Sequence, residues 1–329
     1  MFRWKSYAHT ACVVTAVLTV SLVLSSHRVA LPLTGADTVS ADDIGAKASV
    51  VLYDRNNRFY CGGTAVADSF IVTAAHCFAG PQGRSNPQDW RVYYGTAVGK
   101  GTPARGVKIA VHENYAGQVR AAQKENAMGY WIPRLWDDIA LMRINGTHPA
   151  GVVSAHLPEI DNGYTSTKGT GDTPEGDNLW YYLYGYSANG RVQLQRALAG
   201  QYRPLWRVFP GKESSILPFQ YNSQSFFIIF SDDGPEAKIS ICAGDSGSGV
   251  FLVNNPDRLS YSSDSDREVP KGIQLKDGRP VLIAIMTATS TNNLRAAPNC
   301  ALGTDNRSIY AVRTDYYHDW LVAKMRQMQ

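Results

Sequence analysis

From Ala41 onward the sequence breaks into short runs rich in β-branched and aromatic residues, separated by turn formers. They include "SVVLY", "FIVTAA", "WRVYYG", "VKIAV", "IALMRI", "WYYLYGY", "FFIIF", "GVFLV" and "VLIAIMT". Runs of this length, with few stretches of helical period between them, restrict the chain to an antiparallel all-β barrel or sandwich. The end of the chain is the exception. There "DYYHDWLVAKMRQMQ" sets Tyr317, Trp320, Leu321 and Met325 at helical spacing and predicts an amphipathic terminal helix. Polar, turn-rich loops fall at 80–90, 115–135, 160–178 and 254–276, and no internal repeat is visible.

With 329 residues, 44% hydrophobic and 18% charged, the chain can bury a substantial core and is far from a disordered composition. The net charge of +4 is not gathered into a Lys/Arg run, so nucleic acid is not an expected partner. The N-terminus has its own character. Arg3 and Lys5 precede an uncharged apolar stretch, Ala11 to Leu24, too short for an ordinary spanning helix and correctly flanked for a signal peptide. Residues 1–30 are read as that signal, with cleavage between Ser26 and Ala41, and 31–43 as a propeptide or linker. An uncleaved anchor is the alternative. The mature chain is then exported: secreted, or periplasmic in a Gram-negative source, with no membrane contact. Cys12 lies in the apolar stretch. Cys61, Cys77, Cys242 and Cys300 remain, and in an oxidising compartment an even number favours two disulfides among three possible pairings. No C-x-x-C or H-x-x-x-H spacing supports a zinc site.

The stretch "ICAGDSGSGVF", Ile241 to Phe251, sets Ser246 in a glycine-rich turn. A serine hydroxyl becomes a nucleophile only when a base takes its proton and a third group orients that base. Among the seven histidines, His76 is set apart by "IVTAAHCF", where a β-run ends in small residues and a cysteine follows. Among the carboxylates, "WDDIALMRI" puts Asp138 at the head of an apolar strand, where a buried charge demands a partner. Asp137 is its neighbour, and the register against "DIAL" favours Asp138. His112 and His318 read as structural or surface residues, and His148 and His156 as loop residues.

"TAAHC", "DDIAL" and "GDSGSG", in that order, resemble the chymotrypsin-like (trypsin-fold) serine endopeptidases. "CGGTAVADSFIVTAAHC", "VHENY", "LYGYSANGRVQLQRA" and "SIYAVRTDYYHDWL" extend the likeness from about residue 44 to the end. The resemblance implies two six-stranded antiparallel Greek-key β-barrels packed together with a C-terminal α-helix. The first barrel would span about 44–160, the second about 175–315 and the helix about 316–328. It implies a monomeric enzyme acting on protein or peptide substrates, a target for protein inhibitors, with no metal or organic cofactor. Carried over residue by residue, Ser246 is the nucleophile, His76 the base and Asp138 its orienting carboxylate. The backbone N–H groups of Gly244 and Ser246 form the oxyanion hole. Cys61 pairs with Cys77 and Cys242 with Cys300, and Thr287 offers its hydroxyl to Asp138.

The chain also departs from that family. Ser240 stands at the floor of the primary specificity pocket, where an acid would select Lys or Arg. Thr287-Ala288-Thr289 replaces a Ser-Trp-Gly wall, and Ser308 stands where a pocket-lining Gly is common. Thr289 and Ser308 are expected to narrow the pocket toward small or medium apolar side chains. No Ile-Val-Gly-Gly activation sequence precedes Cys61, which leaves the partner of Asp245 open. A lipase or esterase is excluded by the absent G-x-S-x-G and by the order of the three residues. A non-catalytic protease homologue acting as a binding or signalling module is the other reading.

Overall fold

A computed structural model describes residues 36–80, 83–100, 102–116, 137–159, 180–187, 192–200, 202–203, 226–230, 244–253, 272–291 and 307–329. Six antiparallel strands close into a barrel in the order Ser49–Tyr53, Phe59–Ala67, Phe70–Thr73, Ala140–Ile144, Ala104–Val111 and Arg91–Tyr94, with the last pairing back onto the first. The strand sequences explain the closure. Alternate residues of a strand face opposite sides, and here both sides are buried. Val50, Leu52, Ile71, Ala140 and Met142 join a cluster drawn from the first half of the chain alone. Val51, Val72 and Leu141 join a second cluster with Tyr184, Phe251, Leu282, Ile285, Val312 and Leu321. That double burial is why "SVVLY" and "IALMRI" read as continuous apolar runs rather than alternating ones.

The second half forms one antiparallel sheet of eight strands among the described residues. Its order is Asp37–Thr38, Gln193–Gly200, Trp180–Ser187, Gly249–Leu252, Leu282–Thr291, Arg307–Arg313, Phe226–Phe230 and Tyr202–Arg203. Where six strands were expected there are eight, two of them only two residues long. The edge strands are not paired with each other among the described residues. Chain continuity still bends the sheet strongly. The strand ending at Gly200 lies next to one edge, and Tyr202–Arg203, which begins two residues further along the chain, forms the other edge. Successive Cα atoms are about 3.8 Å apart, so the two ends of the sheet cannot lie far from each other.

The terminal helix runs His318–Met328, close to the span read from its periodicity, and buries Leu321 and Met328. Its packing is against the mixed cluster, where Tyr317 is buried and Trp320 and Met325 are partly so.

The stretch read as linker, 31–43, enters the fold from residue 36. Asp37 and Thr38 pair with Arg196 and Gln195 as an edge strand. Asp43 then caps the short helix Ile44–Ala48, its Oδ1 accepting from the Ala46 N–H at 2.9 Å. The same oxygen accepts the Tyr184 hydroxyl at 2.6 Å, and Oδ2 accepts from Arg196 Nη1 at 2.7 Å. Arg196 in turn lies 4.4 Å over the Tyr182 ring. One carboxylate thus ties the start of the barrel to the second sheet. Loss of an N-cap alone costs about 1 kcal/mol, and stranding buried donors adds a comparable amount. Asp43→Ala is therefore expected to lower stability by about 2 kcal/mol in urea unfolding, and Asp43→Asn, which keeps the cap, by less.

Candidate active site

His76 lies on a single 3-10 turn, Ala75–Cys77, that directly follows the strand ending at Thr73. The first N–H groups of any helical turn lack a partner within it, and here one of them is taken up from far away. Asp138 Oδ1 accepts from the His76 backbone N–H at 2.7 Å, while Oδ2 lies 2.7 Å from Nδ1 of the same residue. Asp138 has no solvent exposure and the His76 side chain has 16%. Since an ionised carboxylate can only accept, Nδ1 carries the proton and Nε2 of the neutral ring is left as an acceptor. Burial pushes the His76 imidazolium down, but the charge and hydrogen bond of Asp138 outweigh it, and the net shift is upward. The backbone N–H of His76 was not foreseen from the sequence, because only the turn geometry exposes it.

Cys61 and Cys77 form a disulfide across a separation of 16 residues. It fastens the His76 turn to the strand Phe59–Ala67. Nitrogen and sulfur atoms of Cys61, His76 and Cys77 lie within 4.8 Å of one another, a spacing that could suit a metal ion. Both sulfurs are bonded to each other, so the group offers one imidazole and no thiolate.

Ser246 is reached from the other half of the molecule, in the turn before the strand Gly249–Leu252. Backbone bonds fix this turn on two sides: Gly247 N–H donates to Met286 O at 2.6 Å, and Gly62 N–H donates to Ser246 O at 2.9 Å. Gly62 O in turn accepts the Thr73 hydroxyl at 2.7 Å. The approach is so close that side chains are forbidden on both faces. A Cβ on Gly62 would lie 1.8 Å from Ser248 Oγ; one on Gly247 would lie 2.0 Å from Thr73 Oγ1 and 2.9 Å from the Ala74 nitrogen. Gly247 also has φ of 83°, a left-handed conformation that glycine adopts without strain. The serine turn is thereby seated against the residues that lead into His76. The Ser246 hydroxyl is partly exposed and makes a long 3.5 Å bond to Thr287 O. Among the described residues, no hydrogen bond takes up the N–H of Gly244 or Ser246. Asp245 is buried against Gly185, whose Cβ would lie 2.4 Å from its Oδ1.

Thr287 corrects an expectation. Its hydroxyl donates to Tyr310 O at 3.2 Å and not to Asp138. The cause is a bulge: Met286 opposes Ala311 and Ala288 opposes Tyr310, so Thr287 is the extra residue and its side chain is re-aimed. Thr289 lies opposite Ile309, and Ser308 opposite Ser290 on one side and Phe230 on the other, so the two are not direct cross-strand partners. Ser240, Cys242 and Cys300 lie outside the described residues, as does the apolar N-terminal stretch. Among the described residues, no helix is long and apolar enough to cross a membrane.

Two residues set aside in the sequence reading belong to the surroundings of this centre. His112 Nδ1 lies 3.6 Å from Asp137 Oδ1, and the Tyr317 hydroxyl donates to that same oxygen at 2.5 Å. No local pattern signalled the group, because His112, Asp137 and Tyr317 come from three separate parts of the chain.

A closed β-barrel and a second β-sheet thus meet with a buried carboxylate holding an imidazole on the barrel side and a glycine-framed serine turn seated against the residues that lead into that imidazole. Residues 37–259 match the family described as trypsin. The chain belongs to that family. Individual relatives agree. Mouse transmembrane protease serine 11C is 29% identical over 134 residues, which is 36% of this chain and 27% of that protein. Human transmembrane protease serine 11B is 35% identical over 88 residues, 26% of this chain and 17% of its own length. Human transmembrane protease serine 11A is 36% identical over 66 residues, 20% and 15%. The aligned stretches therefore span about a quarter or less of these relatives' own length.

Gly247→Ala is expected to distort the serine turn, since backbone atoms of Gly62 and Ala74 leave a methyl no room. A loss of about 3 kcal/mol in denaturant unfolding, of the size seen for severe overpacking, is the expected reading.

Proposed function

We propose that this chain is an exported serine endopeptidase that cleaves peptide bonds through an acyl-enzyme intermediate. The observation that carries this reading is the placement of both Asp138 oxygens on His76, with Nε2 left free to accept a proton. Ser246 Oγ attacks the scissile carbonyl while His76 takes its proton, and Asp138 stabilises the imidazolium. The tetrahedral oxyanion is received by the N–H groups of Gly244 and Ser246. On collapse the C–N bond breaks, His76 returns the proton to the leaving amine, and the acyl group stays on Ser246. Water, deprotonated by His76, then attacks the ester and releases the acid, with the proton passing back to Ser246.

The second sheet, whose two sides chain continuity keeps near each other, is read as the second barrel of the fold. Cys242–Cys300 is read as the bond that anchors the serine turn. Specificity is assigned to Ser240, Thr287, Thr289 and Ser308: a pocket without an acidic floor and with Thr in place of the wall glycine, suited to small or medium apolar residues such as Ala, Val or Leu. The N-terminal stretch is assigned as a cleaved signal, giving a secreted or periplasmic monomer that meets protein substrates and protein inhibitors.

The test is labelling of the mature protein by a fluorophosphonate probe, followed by cleavage profiling on a peptide library. Labelling that vanishes in Ser246→Ala is expected, with a fall in kcat on the order of 10⁶-fold, as for loss of the nucleophile in a comparable triad. A folded wild-type chain that takes up no probe would instead identify a binding module. Strong cleavage after Lys, Arg, Phe or Tyr would overturn the pocket assignment alone. The pH dependence follows from His76. Only its neutral form accepts the serine proton, and Asp138 raises its pKa. kcat/KM should therefore rise with pH along an acidic limb centred above the ordinary histidine value of about 6.5.

A further inference from the structure

We propose that Tyr317, at the start of the terminal helix, is a positioning residue for Asp138 and acts through Asp137; this rests on the reading of His76, Asp138 and Ser246 as the catalytic set. Asp137 and Asp138 are consecutive, yet they serve different imidazoles: Asp138 engages His76, and Asp137 faces His112. The divergence depends on the backbone. Asp137 has φ of 58°, in the left-handed region. That conformation is uncommon for a residue with a Cβ, even for an aspartate, and here the surroundings hold it.

Three contacts enforce it. The Ile139 N–H donates to Asp137 O at 2.8 Å, closing a tight turn with Asp138 at its centre. The His112 N–H donates to Ile139 O at 3.1 Å and fixes the far side of that turn. The third is the Tyr317 hydroxyl on Asp137 Oδ1, a short bond to a charged acceptor and therefore a strong one. Only this contact holds the Asp137 side chain by a direct hydrogen bond among the described residues, since His112 Nδ1 stands too far off at 3.6 Å. Burial drives the His112 pKa down against the pull of Asp137 and Glu113, with Lys324 adding to the fall.

The helix that carries Tyr317 is itself clamped. Trp320 Nε1 donates to Glu113 Oε2 at 2.8 Å, and Lys324 Nζ pairs with Glu113 Oε1 at 2.6 Å. The His112 ring packs on both Tyr317 and Trp320, with centroids 5.1 Å away in each case. The terminal helix is thus connected, through one hydroxyl, to the turn that aims the orienting carboxylate. Freeing that turn lets Asp138 move relative to His76. A misplacement of about 1 Å at such a centre costs on the order of 10²-fold in rate, so partial loosening is expected to cost about tenfold.

The experiment is Tyr317→Phe, which keeps the ring and removes only the donor. Kinetics are normalised to probe-titrated active sites, and folding is checked by near-ultraviolet circular dichroism. The expected result is kcat lowered about tenfold with KM within about twofold, and the acidic limb of kcat/KM moved to lower pH, because a looser Asp138 raises the His76 pKa less. Asp137→Asn, which keeps an acceptor for Tyr317, should lose less than Asp137→Ala. A merely structural role predicts fewer titratable sites with kcat per site and the pH limb unmoved, and that outcome overturns the proposal. The low-field proton resonance of His76 Nδ1, recorded in the Ser246→Ala background with and without Tyr317→Phe, separates the two readings. If wild type takes up no probe, the catalytic reading fails, but a resonance that shifts with Tyr317→Phe still supports the coupling to Asp138. An unmoved resonance refutes it.

Discussion

The arrangement depends on one buried charge. Asp138 has no contact with solvent, and placing an ionised carboxylate in such a setting costs several kcal/mol unless its oxygens are fully engaged. One residue engages both: the His76 backbone N–H takes one oxygen and Nδ1–H the other. The two bonds do different things. The backbone bond fixes where the 3-10 turn sits relative to the strand that begins at Ala140. The ring bond fixes the tautomer and the plane of the imidazole. Burial and pairing then compete at His76, and the upward net shift says that pairing wins. A histidine this enclosed without a carboxylate would be a poor base, because its charged form would be too costly to reach.

The second constraint is the closeness of the two halves. His76 and Asp138 belong to the barrel, and Ser246 to the turn that enters the second sheet. What joins them is backbone on backbone, through Gly62 N–H on Ser246 O, with Gly247 lodged beside Thr73 and Ala74. Such an approach leaves little freedom to shift, since a Cβ on either glycine would overlap its neighbours. Asp43 adds a further tie, joining the start of the barrel to Tyr184 and Arg196. The serine turn is therefore located by backbone contacts with strands of both halves, which suits a reaction sensitive to small displacements.

Much of this was legible in the sequence because its signals are local. "TAAHC" and "DDIAL" each place a chemical group at the end of an apolar strand, and the strand lengths predicted a β fold. The terminal helix followed from the spacing of Tyr317, Trp320, Leu321 and Met325. What stayed hidden was non-local. Asp37–Thr38 is too short to show any period, yet it pairs with residues near 195. The eight-stranded order seen among the described residues arises from pairings between distant segments that periodicity cannot report. Thr287 was assigned to Asp138 by position in a motif, and a single bulge between Met286 and Ala288 turned its hydroxyl to Tyr310. Asp137 looked like a spare neighbour because its value lies in a positive φ and in a tyrosine 180 residues away.

The central claim is that Asp138 overcomes the burial of His76. Titration of the His76 ring by NMR in the inactive Ser246→Ala protein, with and without Asp138→Asn, tests it directly. The expected result is a pKa above the ordinary value of about 6.5 when Asp138 is present, falling below it in the Asp138→Asn variant. A His76 pKa below 6.5 with Asp138 intact, or one indifferent to the substitution, would contradict the account.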